Sequence, residues 1–234
     1  MNKKNTILCL QHVDFEGPAF IEKWADNKGF ELKKVHLYKG EQLSGISDFD
    51  WLIVMGGPMS VNDTDNYSWF DEEFAFVKKA IDDKKTVIGF CLGAQMIAKV
   101  LGCKVFKGDV SEIGWFPVNF YPTGNEELDS VLVGEHTVFH WHGETFHMPK
   151  DAKHIASSTA YPNQAFSYNE HVYAFQFHME MTQDSIQTLL THCKDELVEE
   201  APFVQSAKEI ADSKYCAENN ALLERFLNQL AANN

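Results

Sequence analysis

The chain is short of positive charge: 20 lysine and arginine residues stand against 34 aspartate and glutamate, a formal net charge of −14 over 234 residues. Such a surface repels phosphate backbones and anionic lipids, which argues against nucleic acid or a membrane as partner. Long apolar runs are missing too. No segment approaches the roughly 20 residues that span a bilayer. The polar start MNKKN precedes only the short run TILCL, so a cytoplasmic location is expected. Cys9, Cys91, Cys103, Cys193 and Cys216 are odd in number, widely spaced and without a C-x-x-C pair. That pattern argues against both a disulfide framework and a zinc knuckle. Repeats, low-complexity tracts and Pro/Ser-rich linkers are also lacking.

What is present is an alternation. TILCLQ reads as a strand, residues 18–28 as a helix closed by Gly29, and ELKKVHLY as an exposed strand. DWLIVMGG is a continuous apolar run closed by glycines, as in a central strand of a parallel sheet. Residues 70–82 place Phe70, Phe74, Val77 and Ile81 on one helical stripe, KTVIGF is a buried strand, and LGAQMIAKVLG is a helix ending at Gly102. Strand–helix alternation of this kind implies βαβ crossovers and a three-layer α/β/α sandwich with a mostly parallel central sheet. The second half is richer in strands: WFPVNF, HTVFHW, HIASS, QAFSY and VYAFQFH. Helices follow over 182–197 and from about Phe203 to Leu230. Leu222, Leu223, Phe226, Leu227 and Leu230 form an apolar face on the last of them, for packing on the domain or on a partner. The expected division is a catalytic domain over 1–195 and a C-terminal helical extension over 196–234.

One segment carries chemistry. Gly89-Phe90-Cys91-Leu92-Gly93 has the G-x-nucleophile-x-G spacing of a strand-to-helix elbow, where small residues flank a strained position. A helix that begins at the cysteine turns its free N–H groups toward a thiolate or a developing oxyanion. A tight turn with a buried thiol fits the same five residues. A thiolate nucleophile needs a base, and the base an orienter. In VYAFQFHME, a strand would turn Gln176, His178 and Glu180 to one side and Phe175, Phe177 and Met179 to the other.

Taken together, GFCLGAQ and, 87 residues on, His178-Met179-Glu180 resemble the class I glutamine amidotransferases, which carry G-x-C-x-G-x-Q and F-x-F-H-P-E. MGGPMS resembles the family's G-G-P loop, SEIGWFPV fits the same order, and HWHGETF is similar to the H-G-D stretch of GMP synthetase glutaminase domains. The likeness spans roughly residues 6–190 and implies a flavodoxin-like fold. It implies Cys91 as nucleophile, His178 as base and Glu180 as its partner. Backbone N–H groups of Gly57 and Leu92 would form the oxyanion hole. Gln95 would hold the substrate, and Trp141, His142, Gly143 and Glu144 would line the same pocket. Met179 replaces the usual proline and Glu144 the aspartate of the GMP synthetase pattern.

Other readings are weaker. His140, His142 and His147 invite a metal, but no carboxylate or cysteine lies at matching spacing, so no metal is expected. Gly56-Gly57-Pro58 lacks the Lys-Ser/Thr of a phosphate loop, and no other cofactor is implied. Trp69, Trp115 and Trp141 are core or pocket-wall aromatics. Three functions stand: glutamine hydrolysis supplying ammonia to a separate synthetase, cleavage of another γ-glutamyl compound such as a peptide, and a non-enzymatic protein on the same fold. His178 and Glu180 disfavour the third. With neither a Walker motif nor an SGG-type pyrophosphatase loop, the chain holds nothing with which to activate an acceptor itself.

Overall fold

The computed structural model describes residues 5–198, 200–212 and 214–232. Ser213, inside the expected tail helix, lies outside the described residues, as do residues 1–4, 199 and 233–234. Nine strands form one sheet. Those of the first half are β1 (Thr6–Gln11), β2 (Glu31–His36), β3 (Trp51–Val54) and β4 (Thr86–Phe90). The second half adds β5 (Val105–Phe120), β6 (Gly134–Phe146), β7 (Lys153–Ser158), β8 (Ala165–Tyr168) and β9 (Val172–Phe175). Their order is β2-β1-β3-β4-β9-β8-β7-β5-β6. The first five in that order pair in parallel, and the remaining pairings are antiparallel.

The helices are α1 (Phe20–Lys28), α2 (Phe70–Asp82), α3 (Leu92–Val100), α4 (Glu126–Asp129), α5 (Gln183–His192), α6 (Ala207–Ala211) and α7 (Tyr215–Ala232). The period of two along each central strand sorts their side chains into two cores. Ile7, Trp51, Ile53, Ile88, Phe90 and Phe175 pack with Trp24 of α1 and the Leu222–Leu230 face of α7. Leu8, Leu52, Val54, Val87 and Ala174 pack with α2 and α3 on the opposite face. These are the three layers. β2 and β6 are the two edge strands, and the exposed residues of β2 include Lys33 and Lys34, which suit an unpaired edge.

Three elements differ from their sequence outlines. The strands expected at 115–120 and 136–141 are the ends of a long hairpin of 16 and 13 residues, β5 and β6, with a register shift between Lys107 and Glu112. Charged residues hide that length, because one face of the hairpin is exposed. The helix expected to reach 197 stops at His192 and tightens into a 3-10 turn over Lys194–Glu196. Its start is as read, at Thr182, whose hydroxyl caps Ser185 while Ser185 reaches back. The tail is two helices, α6 and α7, rather than one.

Of the two destinations open to the tail's apolar face, the domain is the one occupied. Phe226 is fully buried and meets Tyr173 and Phe175 edge-on, with ring centroids 5.2 and 5.3 Å apart. Truncating a buried phenylalanine costs about 3–5 kcal/mol. Phe226→Ala is therefore expected to lower the urea-unfolding free energy by about that amount; a loss below about 1 kcal/mol would show α7 to be a surface attachment.

Candidate active site

The carboxyl ends of β1, β3, β4 and β9 converge on one crevice, where open α/β sheets bind ligands. Cys91 sits there, between the last residue of β4 and the first of α3, with φ at 50° and ψ at −106°. A non-glycine residue with positive φ is strained, and its surroundings must hold it. They do: its N–H donates to Phe175 O at 2.8 Å and its carbonyl accepts from Gln95 N at 3.1 Å. The flanking glycines are required sterically. A Cβ on Gly89 would stand 2.5 Å from the Gly93 carbonyl, and one on Gly93 would run into the Val54 carbonyl. Only a G-x-C-x-G sequence lets α3 press this closely on β3 and β4.

His178 lies beyond the end of β9, yet the alternation expected of a strand persists. Phe177 and Met179 enter the α1/α7 core while Gln176, His178 and Glu180, all buried, turn to the crevice. The His178 N–H bonds Phe139 O at 2.8 Å, which ties this segment to β6. Its Nδ1 donates to Glu180 Oε1 at 2.6 Å, and Glu180 Oε2 accepts the Met179 N–H at 3.0 Å. The remaining ring nitrogen makes no bond to Glu180, and the imidazole and the Cys91 sulfur act on each other electrostatically. Met179 points into the core, so the missing proline leaves this relay intact.

Burial pushes the Cys91 thiol up, against the pull of the His178 imidazole and the Leu92 N–H. Burial alone would lower His178; the Glu180 carboxylate and the Cys91 sulfur more than reverse it and hold the imidazole well above its usual value. The other four cysteines are also raised, Cys9 and Cys193 to about 12. Among the described residues, no imidazole hydrogen-bonds to any of these four to oppose burial.

A cavity of about 290 Å³ opens on the sulfur, lined by Gly57, Cys91, Gln95, Trp141, His142, Gly143 and Glu144 among others. The expected pocket residues are thus together. A Cβ on Gly57 would sit 3.1 Å from the Leu92 side chain, so the glycine loop abuts the elbow. The Gln95 amide donates to Gln176 Oε1 at 3.2 Å and to Glu144 O at 3.4 Å. Gln176 in turn donates to Cys91 Sγ at 3.7 Å, and the thiol meets Trp141 O at 3.5 Å. Glu144 Oε2 accepts from Ser60 Oγ at 3.0 Å, joining β6 to the glycine loop. A larger hollow of about 1020 Å³, lined by Lys84, Glu170 and His171, lies at the opposite ends of β4 and β9, away from this chemistry.

Sequence reasoning missed the loop after β1. His12 is fully buried, with Nε2 2.8 Å from Glu73 Oε1 and Nδ1 3.1 Å from Gly56 O, and it pins the glycine turn. Glu16 lines the cavity, crowds Gly56 beside the His178 ring, and is raised to about 7 by burial, against the pull of His178. The signal was positional: HVDFEG follows a central strand at its carboxyl end. One expectation needs correcting. A carboxylate does stand beside the histidines of β6, because Glu112 of β5 pairs directly with His142 across the ladder. Spacing along one strand cannot reveal a neighbour on the next.

The family model for glutamine amidotransferase class-I matches residues 22–193. The chain belongs to that family. It is 33% identical over 226 residues to the glutamine amidotransferase-like protein YfeJ of Salmonella typhimurium, covering 94% of each chain. It is 30% identical over 162 residues to a glutamine-hydrolysing GMP synthase subunit from Sulfolobus acidocaldarius, covering 67% of this chain and 80% of that one. The crystal structure of a glutamine amido transferase from Methylobacillus flagellatus superposes with a TM-score of 0.90 at 29% identity, over 98% of this chain and 95% of that one. Among the described residues no helix is long and apolar enough to cross a membrane.

A strained backbone at a helix start and the electrostatic pull of the His178 imidazole set Cys91 apart from its four counterparts. Iodoacetamide at limiting dose is expected to alkylate Cys91 first, and His178→Ala to remove that lead. Peptide mapping in which all five label at one rate would remove the reactive-thiolate reading.

Proposed function

We propose that this amidotransferase hydrolyses a γ-glutamyl amide through a thioester on Cys91 and releases ammonia to a separate synthetase. The observations that carry the reading are the hydrogen bond between His178 and Glu180 and a strained Cys91 on the wall of a small cavity. The Cys91 proton passes to His178, and the thiolate sulfur attacks the γ-carbonyl carbon. The oxygen, now negative, is received by the N–H groups of Gly57 and Leu92. His178 returns its proton to the departing nitrogen, ammonia leaves, and a glutamyl thioester remains. Water, deprotonated by His178, then releases glutamate and restores the thiol. Glu180 accepts from Nδ1 throughout, which fixes the tautomer and stabilises the imidazolium.

The cavity is suited to an amino-acid head group. Glu16 is buried on the cavity wall, where its carboxylate can take an α-ammonium. Lys107 on the same wall offers the cation for an α-carboxylate. Gln95, already held by Gln176 and Glu144, presents its amide to the chain between them. Kinship with a GMP synthase subunit favours transfer to a separate partner over free-standing cleavage of γ-glutamyl peptides.

The isolated protein is expected to hydrolyse glutamine slowly and γ-glutamyl peptides not at all; brisk peptide cleavage would hand the site to the peptidase reading. Glu180→Gln should lower kcat by about 10²–10⁴-fold with little change in KM. A carboxylate titrating near 7 gives a rise in kcat/KM through that pH as Glu16 ionises, and Glu16→Gln should abolish the rise.

A further inference from the structure

The geometry points to a divalent metal site, of the kind that holds Zn²⁺, formed by Glu112, His140 and His142 between β5 and β6. The three side chains are buried, at 1%, 0% and 6% exposure, and one of them, His142, also lines the Cys91 cavity. One ligand atom from each falls within 4.8 Å of the others. Glu112 Oε2 stands 3.4 Å from His140 Nδ1 and 3.2 Å from His142 Nε2. Zinc holds nitrogen and carboxylate oxygen at about 2.0–2.2 Å, so adjacent corners of its tetrahedron are about 3.3–3.5 Å apart. Both distances fall at or close to that edge length.

Hydrogen bonding argues for a cation at that spot. Among the described residues, eight buried side-chain polar atoms lack a hydrogen-bond partner, and four of them are here: both ring nitrogens of His140, His142 Nε2 and Gln164 Oε1. Each such atom costs about 1–3 kcal/mol, and a single cation can serve one nitrogen from each of the two imidazoles. His142 Nδ1 is 3.1 Å from the Glu144 carbonyl and can only donate there. With Nδ1 donating, Nε2 is the His142 atom turned to the Glu112 carboxylate oxygen, and His140 brings a second nitrogen to the same oxygen. One proton on one ring satisfies one of these two contacts; a metal ion takes both nitrogens and the oxygen.

The surrounding shell matches what metal ligands need. Gln164 Nε2 donates to Glu112 Oε2 at 2.6 Å and orients the carboxylate. The Glu144 carbonyl fixes the His142 tautomer. The rings of Phe116, Phe177 and Tyr161 stand around the two imidazoles and exclude water. A metal here would clamp β5 to β6 just beyond the register shift and so hold Trp141 and Glu144 against the thiol. It would take no part in bond making.

The test is elemental analysis of untagged full-length protein purified without chelator, followed by titration of chelator-treated protein with Zn²⁺ and with Co²⁺. The expected result is about one zinc per chain, retained in Cys91→Ser and His147→Ala and lost in Glu112→Gln. Co²⁺ should give the intense visible absorption of a four-coordinate site, and Zn²⁺ should raise the Tm of wild type but not of Glu112→Gln. If Glu112→Gln does not fold, the wild-type absorption and Tm still decide. Wild-type protein without stoichiometric metal, and with neither response, would overturn the proposal. So would metal lost on Cys91→Ser, which would place the ion at the catalytic thiol.

Discussion

The whole site depends on how closely α3 is allowed to approach β3 and β4. Contact between Gly93 and the Val54 carbonyl, and between Gly89 and Gly93, leaves no room for a methyl group at either glycine. That contact forces the chain into a sharp turn, and the turn puts Cys91 at φ 50°. Strain at Cys91 is offset by two backbone hydrogen bonds and by a fully buried helix start, since Leu92, Ala94, Met96 and Ile97 all lie in the core. The rigid layers around the turn therefore hold the sulfur in place at no cost in mobility.

The remaining parts are hung on strand ends that this sheet brings together. β9 inserts beside β4, so residues 85 positions apart become neighbours: Gln176 reaches the Cys91 sulfur. β6 meets the segment after β9 through Phe139, which sets Trp141 and Glu144 at the cavity wall. The buried ion pair of His12 with Glu73 fixes the glycine turn from behind. Burial raises the Glu16 carboxylate to about 7, against the pull of His178 and His12.

Much of this was legible in the chain, and what was not has a common cause. Apolar runs located β1, β3 and β4, and the period of α2 gave its bounds as Phe70–Asp82. G-x-C-x-G and H-x-E singled out Cys91, His178 and Glu180 because their spacing is local and each neighbour has a steric or electrostatic reason. The length of the β5–β6 hairpin was hidden by its exposed face. Glu112 opposite His142, Gln176 against Gln95, and Glu16 beside His178 are contacts between distant segments, and no periodicity encodes them. Family likeness supplied the outline of the pocket; only the folded sheet supplied its second ring of residues.

The central claim is that Cys91 carries the glutamyl group covalently. Wild-type protein mixed with a γ-glutamyl substrate, quenched in acid within the first turnover and analysed by intact-mass and peptide mass spectrometry, tests it directly. The account predicts a mass gain of one glutamyl residue, located on the Cys91 peptide, labile to hydroxylamine and absent from Cys91→Ser. Hydrolysis that proceeds with no such adduct, or an adduct on another residue, would contradict it.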